Sequence, residues 1–167
     1  MVDVSDTKHD AKTQFWDQVE EVRAGMLGLT GTGDHFQPMS PREEPNASKL
    51  WFFLHNDSDL FRHMKAGNTK AMFTVVGKEH DYHACASGTL AENKDPAKVE
   101  EFWDPMVAAW FEGGKDDPRM TLMEMRLDEA QIWGSTDSTV RFAWQIAKAN
   151  LKKDEVPDVG YETVVKF

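Results

Sequence analysis

KLWFFLHNDSDL, residues 49–60, is the stretch on which the reading of this chain turns. Leu50, Trp51, Phe52, Phe53 and Leu54 are consecutive large apolar side chains. Aromatics at that density suit the pleated surface of a strand better than a helix. A strand without polar alternation is covered on both faces. At His55 the composition changes abruptly. Asn56, Asp57, Ser58 and Asp59 are residues that bond to their own backbone in turns. Leu60, Phe61 and Met64 then recur at helical spacing. The unit predicts a buried strand, a polar turn and a helix, with Ser58 and the first helical N–H groups placed where an anion could sit.

Outward from this unit, the middle of the chain reads as short strands joined by tight turns. Residues 26–30 form a strand interrupted by Gly28, and TGTGD at 30–34 is a turn. Residues 36–40 form an extended segment whose Pro38 suits a sheet edge. Residues 41–48, with two prolines, read as a polar loop. Residues 71–76, 82–90, 120–126 and 130–133 read as further strands, and 163–167 as a closing one. Phe15, Trp16, Val19 and Val22 mark an amphipathic first helix. A second helical stripe runs from Val99 to Trp110, with Pro105 dividing or kinking it. Asp95 and Pro96 stand as its N-cap and first helical residue. Residues 140–151 are predicted helical, with Phe142, Ile146 and Ala149 as the apolar face. Residues 1–10 read as a charged, flexible arm, and 135–167 as a C-terminal helix and strand extension of a single domain, 1–167. Strands following strands, with few helical insertions, predict a mainly β, α+β fold: a six- to seven-stranded antiparallel barrel with peripheral helices.

The 167 residues carry a formal net charge of −10 with no run of basic residues beyond two, which argues against nucleic acid and anionic membranes as partners. No apolar stretch approaches membrane-spanning length, and the polar start has no signal-like region, so a cytoplasmic location is expected. The single cysteine, Cys85, excludes an internal disulfide and a cysteine-based zinc site. No metal site is expected: His80, Asp81 and His83 are loosely spaced and read as turn residues. His55, Asp57, Ser58 and His63 lie close in sequence but lack a nucleophile elbow. No catalytic residue is therefore assigned. If the protein is an enzyme, a bound cofactor carries the chemistry, and a flat cofactor held by strand-edge backbone would leave little motif behind. The tryptophan-rich FWDPMVAAWF segment, 102–111, reads as core packing or a dimer interface.

In order along the chain, HFQPMS, LWFFLHNDSDL, HDYHACASGTL, FWDPMVAAWFEGGKDDP and EAQIW resemble the bacterial general stress proteins of the pyridoxamine 5′-phosphate oxidase-like superfamily, from about Phe15 to Trp133. The resemblance implies an FMN-binding split barrel, with FAD as an alternative, and a homodimer holding flavin at the subunit interface. It implies that Gln37, Pro38 and Met39, with Trp51, Phe52, Phe53 and Leu54, line the ring system largely through backbone groups. Ser58, Asp59 and Leu60 would lie near the ribityl phosphate. Trp103, Trp110 and Phe111 would cover the ring from the partner subunit. The implied function is that of a flavin-binding stress-response protein with oxidoreductase chemistry. A carrier or sensor without turnover, or a cofactor-free dimeric interaction module, stands as the alternative. Many relatives carry Arg where Gln37 stands and Lys near Leu60, cations that would pair with a phosphate. Arg62, His63 or Lys70 is expected to compensate, or else the site accepts a different flavin.

Overall fold

The computed structural model describes residues 4–135 and 160–167. Eight strands form one antiparallel sheet: β1 (Gly25–Leu29), β2 (Gln37–Met39), β3 (Arg42–Glu44), β4 (Lys49–His55), β5 (Lys70–Val76), β6 (Tyr82–Asn93), β7 (Met120–Ser135) and β8 (Gly160–Lys166). The helices are α1 (Val4–Val22), α2 (Asp59–Lys65), α3 (Pro96–Phe102) and α4 (Pro105–Ala108). The sheet order is β2-β1-β5-β6-β7-β4-β3, with β8 added on β7. The two ends of that order, β2 and β3, are separated in sequence only by Ser40 and Pro41. So short a link forces the sheet to curl until its ends meet. No pairing joins β2 to β3 among the described residues. The result is the expected split barrel, open along one seam.

The inner face is the core. Leu50, Phe52 and Leu54 of β4 point into it with Leu27, Phe73, Val75, Ala84, Ala86, Met123, Met125 and Ile132. Helix α1 covers the barrel on its side, burying Phe15, Trp16 and Val19. Phe15 and Trp16 meet Phe167 edge-on at 5.2 and 5.3 Å, so the C-terminal strand is packed under the first helix. Tyr161 donates from its hydroxyl to Gln14 Oε1 at 2.9 Å in the same contact.

Several elements differ from the sequence reading. Strand β3 lies in what reads as a polar loop, because Arg42, Glu43 and Glu44 lack the apolar alternation of a strand. Charged residues are compatible with its place at a sheet edge. A turn of 3₁₀ helix, Pro45–Ala47, follows it. The segments read as separate strands at 120–126 and 130–133 are one strand, β7, of 16 residues. Its inward residues run Met123, Met125, Leu127 and then Ala130, Ile132. The phase slips by one residue because Ser87 pairs with Glu129 and Gly88 with Leu127, leaving Asp128 bulged. That merger removes one strand and β3 adds one, and the described residues hold eight strands where six to seven are expected. Pro105 divides the second stripe into two short helices, one of the two expected outcomes. Helix α1 starts at Val4, inside the segment read as an arm, with a non-helical residue at Asp10. The Asp10 carboxylate accepts the Thr13 N–H at 3.0 Å, which caps the portion beyond the break. The predicted helix at 140–151 lies outside the described residues.

Candidate functional site

Strand β4 pairs with β7 along its whole length, Lys49 to His55, but with β3 only from Lys49 to Trp51. Beyond Trp51 the edge facing the seam has no strand partner among the described residues. Alternate residues of a strand aim N–H and C=O at each edge, so this stretch presents peptide groups to the seam. On the opposite bank stands β2, the terminal strand of the sheet. A cavity of about 500 Å³ fills the space between the banks, well within the range of small-molecule sites.

Its walls come from three places. Gln37, Pro38, Met39 and Ser40 form one bank, and Phe53, Leu54, His55 and Ser58 the other. Met106, Val107, Trp110 and Phe111, from α4 and the residues after it, close the side. Eight residues proposed from sequence are thus brought together: Gln37, Pro38, Met39, Phe53, Leu54, Ser58, Trp110 and Phe111, the last two lining the cavity of their own chain, whereas the resemblance has them reach it from the partner subunit. Trp110 is 73% exposed and Met106 55%, although both face the cavity.

The other five lie off the cavity wall. Trp51 is buried against Phe102, at 5.4 Å between rings, and donates its indole N–H to Glu44. Phe52 is in the core beside Phe73, at 5.5 Å. Leu60 is also buried in the core. Asp59 is exposed and ion-paired to Arg62. Trp103 stands one layer back, edge-on to Phe53 at 5.7 Å and tilted against Phe111 at 6.3 Å, so it supports the wall.

The cations expected to compensate do not line the cavity either. Arg62 is held by Asp59, His63 by Asp34, and Lys70 by Asp128 and Thr89. The cation on the wall is Arg42, which sequence reasoning passed over. Its guanidinium donates from Nη2 to Asp104 Oδ2 at 2.6 Å and from Nη1 to the Pro41 carbonyl at 3.1 Å. Asp104 also accepts the Val107 N–H at 2.8 Å as the N-cap of α4. Burial pushes the Asp104 carboxyl up, but the Val107 and Arg42 bonds outweigh it and hold it below the ordinary carboxylate value. One carboxylate therefore fixes both the cation and the short helix carrying the side wall.

Ser58 N-caps α2, accepting the Phe61 N–H at 3.3 Å. His63 faces Asp34 rather than Ser58, so the residues of a hydrolytic triad are not assembled. Among the described residues no three of His, Cys, Asp or Glu gather as a metal-binding group. No helix among them is long and apolar enough to cross a membrane.

The chain matches the family model described as pyridoxamine 5′-phosphate oxidase like over residues 10–158. A candidate general stress protein 26 of Jannaschia sp. CCS1 is 36% identical, with a TM-score of 0.77 over 95% of this chain and 99% of that one. The general stress FMN/FAD binding protein of Xanthomonas citri is 38% identical, with a TM-score of 0.70 over 78% of this chain and 92% of that one. An FMN-binding, pyridoxamine 5′-phosphate oxidase-related protein of Nostoc punctiforme PCC 73102 shares the fold, at a TM-score of 0.60 and 10% identity over 74% of this chain and 82% of that one. None of the curated proteins matches. On the extent of the family match and the identity of these general stress proteins, the chain belongs to the pyridoxamine 5′-phosphate oxidase-like family.

Proposed function

We propose that this protein binds a flavin, FMN in the first instance and FAD as the alternative, in the cavity along the barrel seam. The observation that carries the reading is the cavity itself. It has apolar and aromatic walls, unpaired strand edge on one bank, and a single guanidinium beside it. That donor set fits a group with a flat aromatic body, polar edges that bond to backbone, and an anionic tail. The general stress FMN/FAD binding protein of Xanthomonas citri, to which the chain is similar, supports it.

A bound flavin would supply hydride and electron transfer, and the reading is of an oxidoreductase with a stress-response role. The residues of this chain would do the rest. Phe53, Phe111 and Val107 would exclude water, and the strand edges would orient the ring. His55 is the imidazole on the cavity wall, and its ring packs on Phe111 at 4.8 Å. We further propose a homodimer whose second subunit covers the exposed wall at Met106 and Trp110, and a cytoplasmic setting, which suits a chain with one cysteine.

A second reading, a dimeric module without flavin, is favoured by the neutral residues at Gln37 and Leu60. Gel filtration after incubation with FMN or FAD separates the two. Flavin absorbance co-eluting with a dimer supports the first reading. A colourless dimer in both cases supports the second.

A further inference from the structure

We propose that Arg42 forms an oxyanion subsite at one end of the seam cavity, held ready by Asp104. This deepens the flavin reading and rests on the same cavity. Among the described residues Arg42 carries the only permanent charge on the cavity wall, in a chain whose net charge is −10. Asp104 offsets the charge of the guanidinium, so an anion is held there by charge-assisted N–H donors in a fixed orientation rather than by long-range attraction. The side chain is 16% exposed, so water screens it little. A guanidinium has five N–H donors, and two hydrogen bonds engage it within the described protein, to Asp104 and Pro41. The remaining donors suit a two-pronged contact with a phosphate or carboxylate.

The position is set by the fold. Arg42 pairs with Trp51 in the β3–β4 register, whereas Ser58 lies past the far end of β4. At about 3.3 Å per residue, Trp51 and His55 are about 13 Å apart along the strand, so the cavity has a cationic end and a hydroxyl end. A second cavity of about 220 Å³ adjoins the cationic end, with Arg42 and Arg23 on its wall beside the carboxylates of Glu43, Glu101 and Asp104. Arg42 is thus shared by both spaces. Its oxyanion could be the phosphate of the cofactor or an acidic group on a second ligand lying beside it. Asp104 is the positioning residue: it orients the guanidinium and pins α4 with its other oxygen.

The test compares wild type with Arg42→Gln and Arg42→Lys, using fluorescence titrations with FMN and with riboflavin, which lacks the phosphate. If the cofactor supplies the anion, wild type prefers FMN by tenfold or more, Arg42→Gln abolishes that preference while keeping its riboflavin affinity, and Arg42→Lys restores part of it. If a second ligand supplies it, FMN and riboflavin bind alike, but inorganic phosphate shifts the bound-flavin absorption of wild type and not of Arg42→Gln. Identical behaviour of wild type and Arg42→Gln in both titrations overturns the proposal, and retained riboflavin binding shows that the variant is folded. If wild type takes up no flavin but inorganic phosphate raises its Tm in an Arg42-dependent way, the flavin reading falls and the oxyanion subsite stands. If phosphate has no such effect either, both fall.

Discussion

The indole N–H of Trp51 donates to Glu44 Oε2 at 2.9 Å, across the β3–β4 pair, from a side chain that is almost wholly buried. The other oxygen of Glu44 accepts from Lys98 Nζ at 2.6 Å, and Lys98 lies over the rings of Trp51 and Phe102. This small network fastens β3, and hence Arg42, to β4 and α3. Removing the acceptor leaves a buried donor unpaired, which costs roughly 1–3 kcal/mol. Glu44→Ala is expected to lower the urea midpoint accordingly, whereas Lys98→Ala, at an ion pair whose side chains are 24% and 25% exposed, is expected to cost about 1 kcal/mol or less. Urea unfolding of both variants checks the order.

The same network sets a response to acid. Burial pushes the Glu44 carboxyl up, but the bonds from Lys98 and Trp51 outweigh it and leave it below its ordinary value. Glu92, bonded by Lys65 and Thr121, and Asp104 are depressed in the same net sense against their burial. A carboxyl depressed on folding contributes stability that is complete above its unfolded pKa of about 4 and is lost as pH falls through the folded value. The midpoint is therefore expected to be flat near neutrality and to fall below about pH 4. Glu44→Gln should flatten that fall. An unchanged acid limb in Glu44→Gln would show that the network does not carry it.

At the bulge, a Cβ built on Gly88 would lie 2.2 Å from the Arg126 carbonyl oxygen. The obstacle is backbone, which cannot rotate away. Gly88→Ala is expected to destabilise by about 1–3 kcal/mol, as overpacking does. Ser87→Ala, one residue earlier on the outer face, is expected to stay within about 0.5 kcal/mol. Thermal unfolding of the pair isolates the close approach from the general effect of substituting there.

Tyr82 buries a hydroxyl that has no hydrogen-bond partner among the described residues, and burial pushes its pKa well above the ordinary value. An unpaired buried polar group costs stability rather than adding it. Tyr82→Phe should be neutral or stabilising, while Tyr82→Ala should lose about 3–5 kcal/mol by emptying the core. A clear loss in Tyr82→Phe would mean that the hydroxyl is satisfied by a bound water.

Trp110 sits at the exposed rim of the cavity wall. Replacing so exposed a residue is expected to change monomer stability by no more than about 0.5 kcal/mol. If a second subunit covers this wall, Trp110→Ala should weaken dimerisation or flavin retention at least tenfold. Sedimentation and flavin content measured together decide it. Both unchanged would remove Trp110 from the site.

Much of this was legible in residues 49–60. The unbroken apolar run marks β4 as covered on both faces, inward by the core and outward by Phe102 and Trp103. Ser58 and Asp95 act as the N-caps that their positions suggest. Arg42 was not legible, because it sits in a proline-flanked charged segment with no strand periodicity. Its pairing with Trp51 sets it on the β4 bank, and the curl of the sheet, closed by Ser40 and Pro41, brings β2 across from it to form the cavity. Trp51 and Phe52 share the chemistry of Phe53, but the inward and outward alternation of β4, with α3 lying over Trp51, keeps both off the cavity wall. The slip in alternation between Leu127 and Ala130 was visible in the sequence, but it reads as a break between strands until β6 is seen to pair across it.

The most direct test of the seam as a flavin site is an FMN titration of wild type beside Ser40→Trp. Ser40 is exposed on the cavity wall, so an indole there would fill the space without entering the core. Saturable FMN binding by wild type at one per chain, lost in a folded Ser40→Trp, is the result the account predicts. Equal binding by both proteins, or none by wild type, would contradict it.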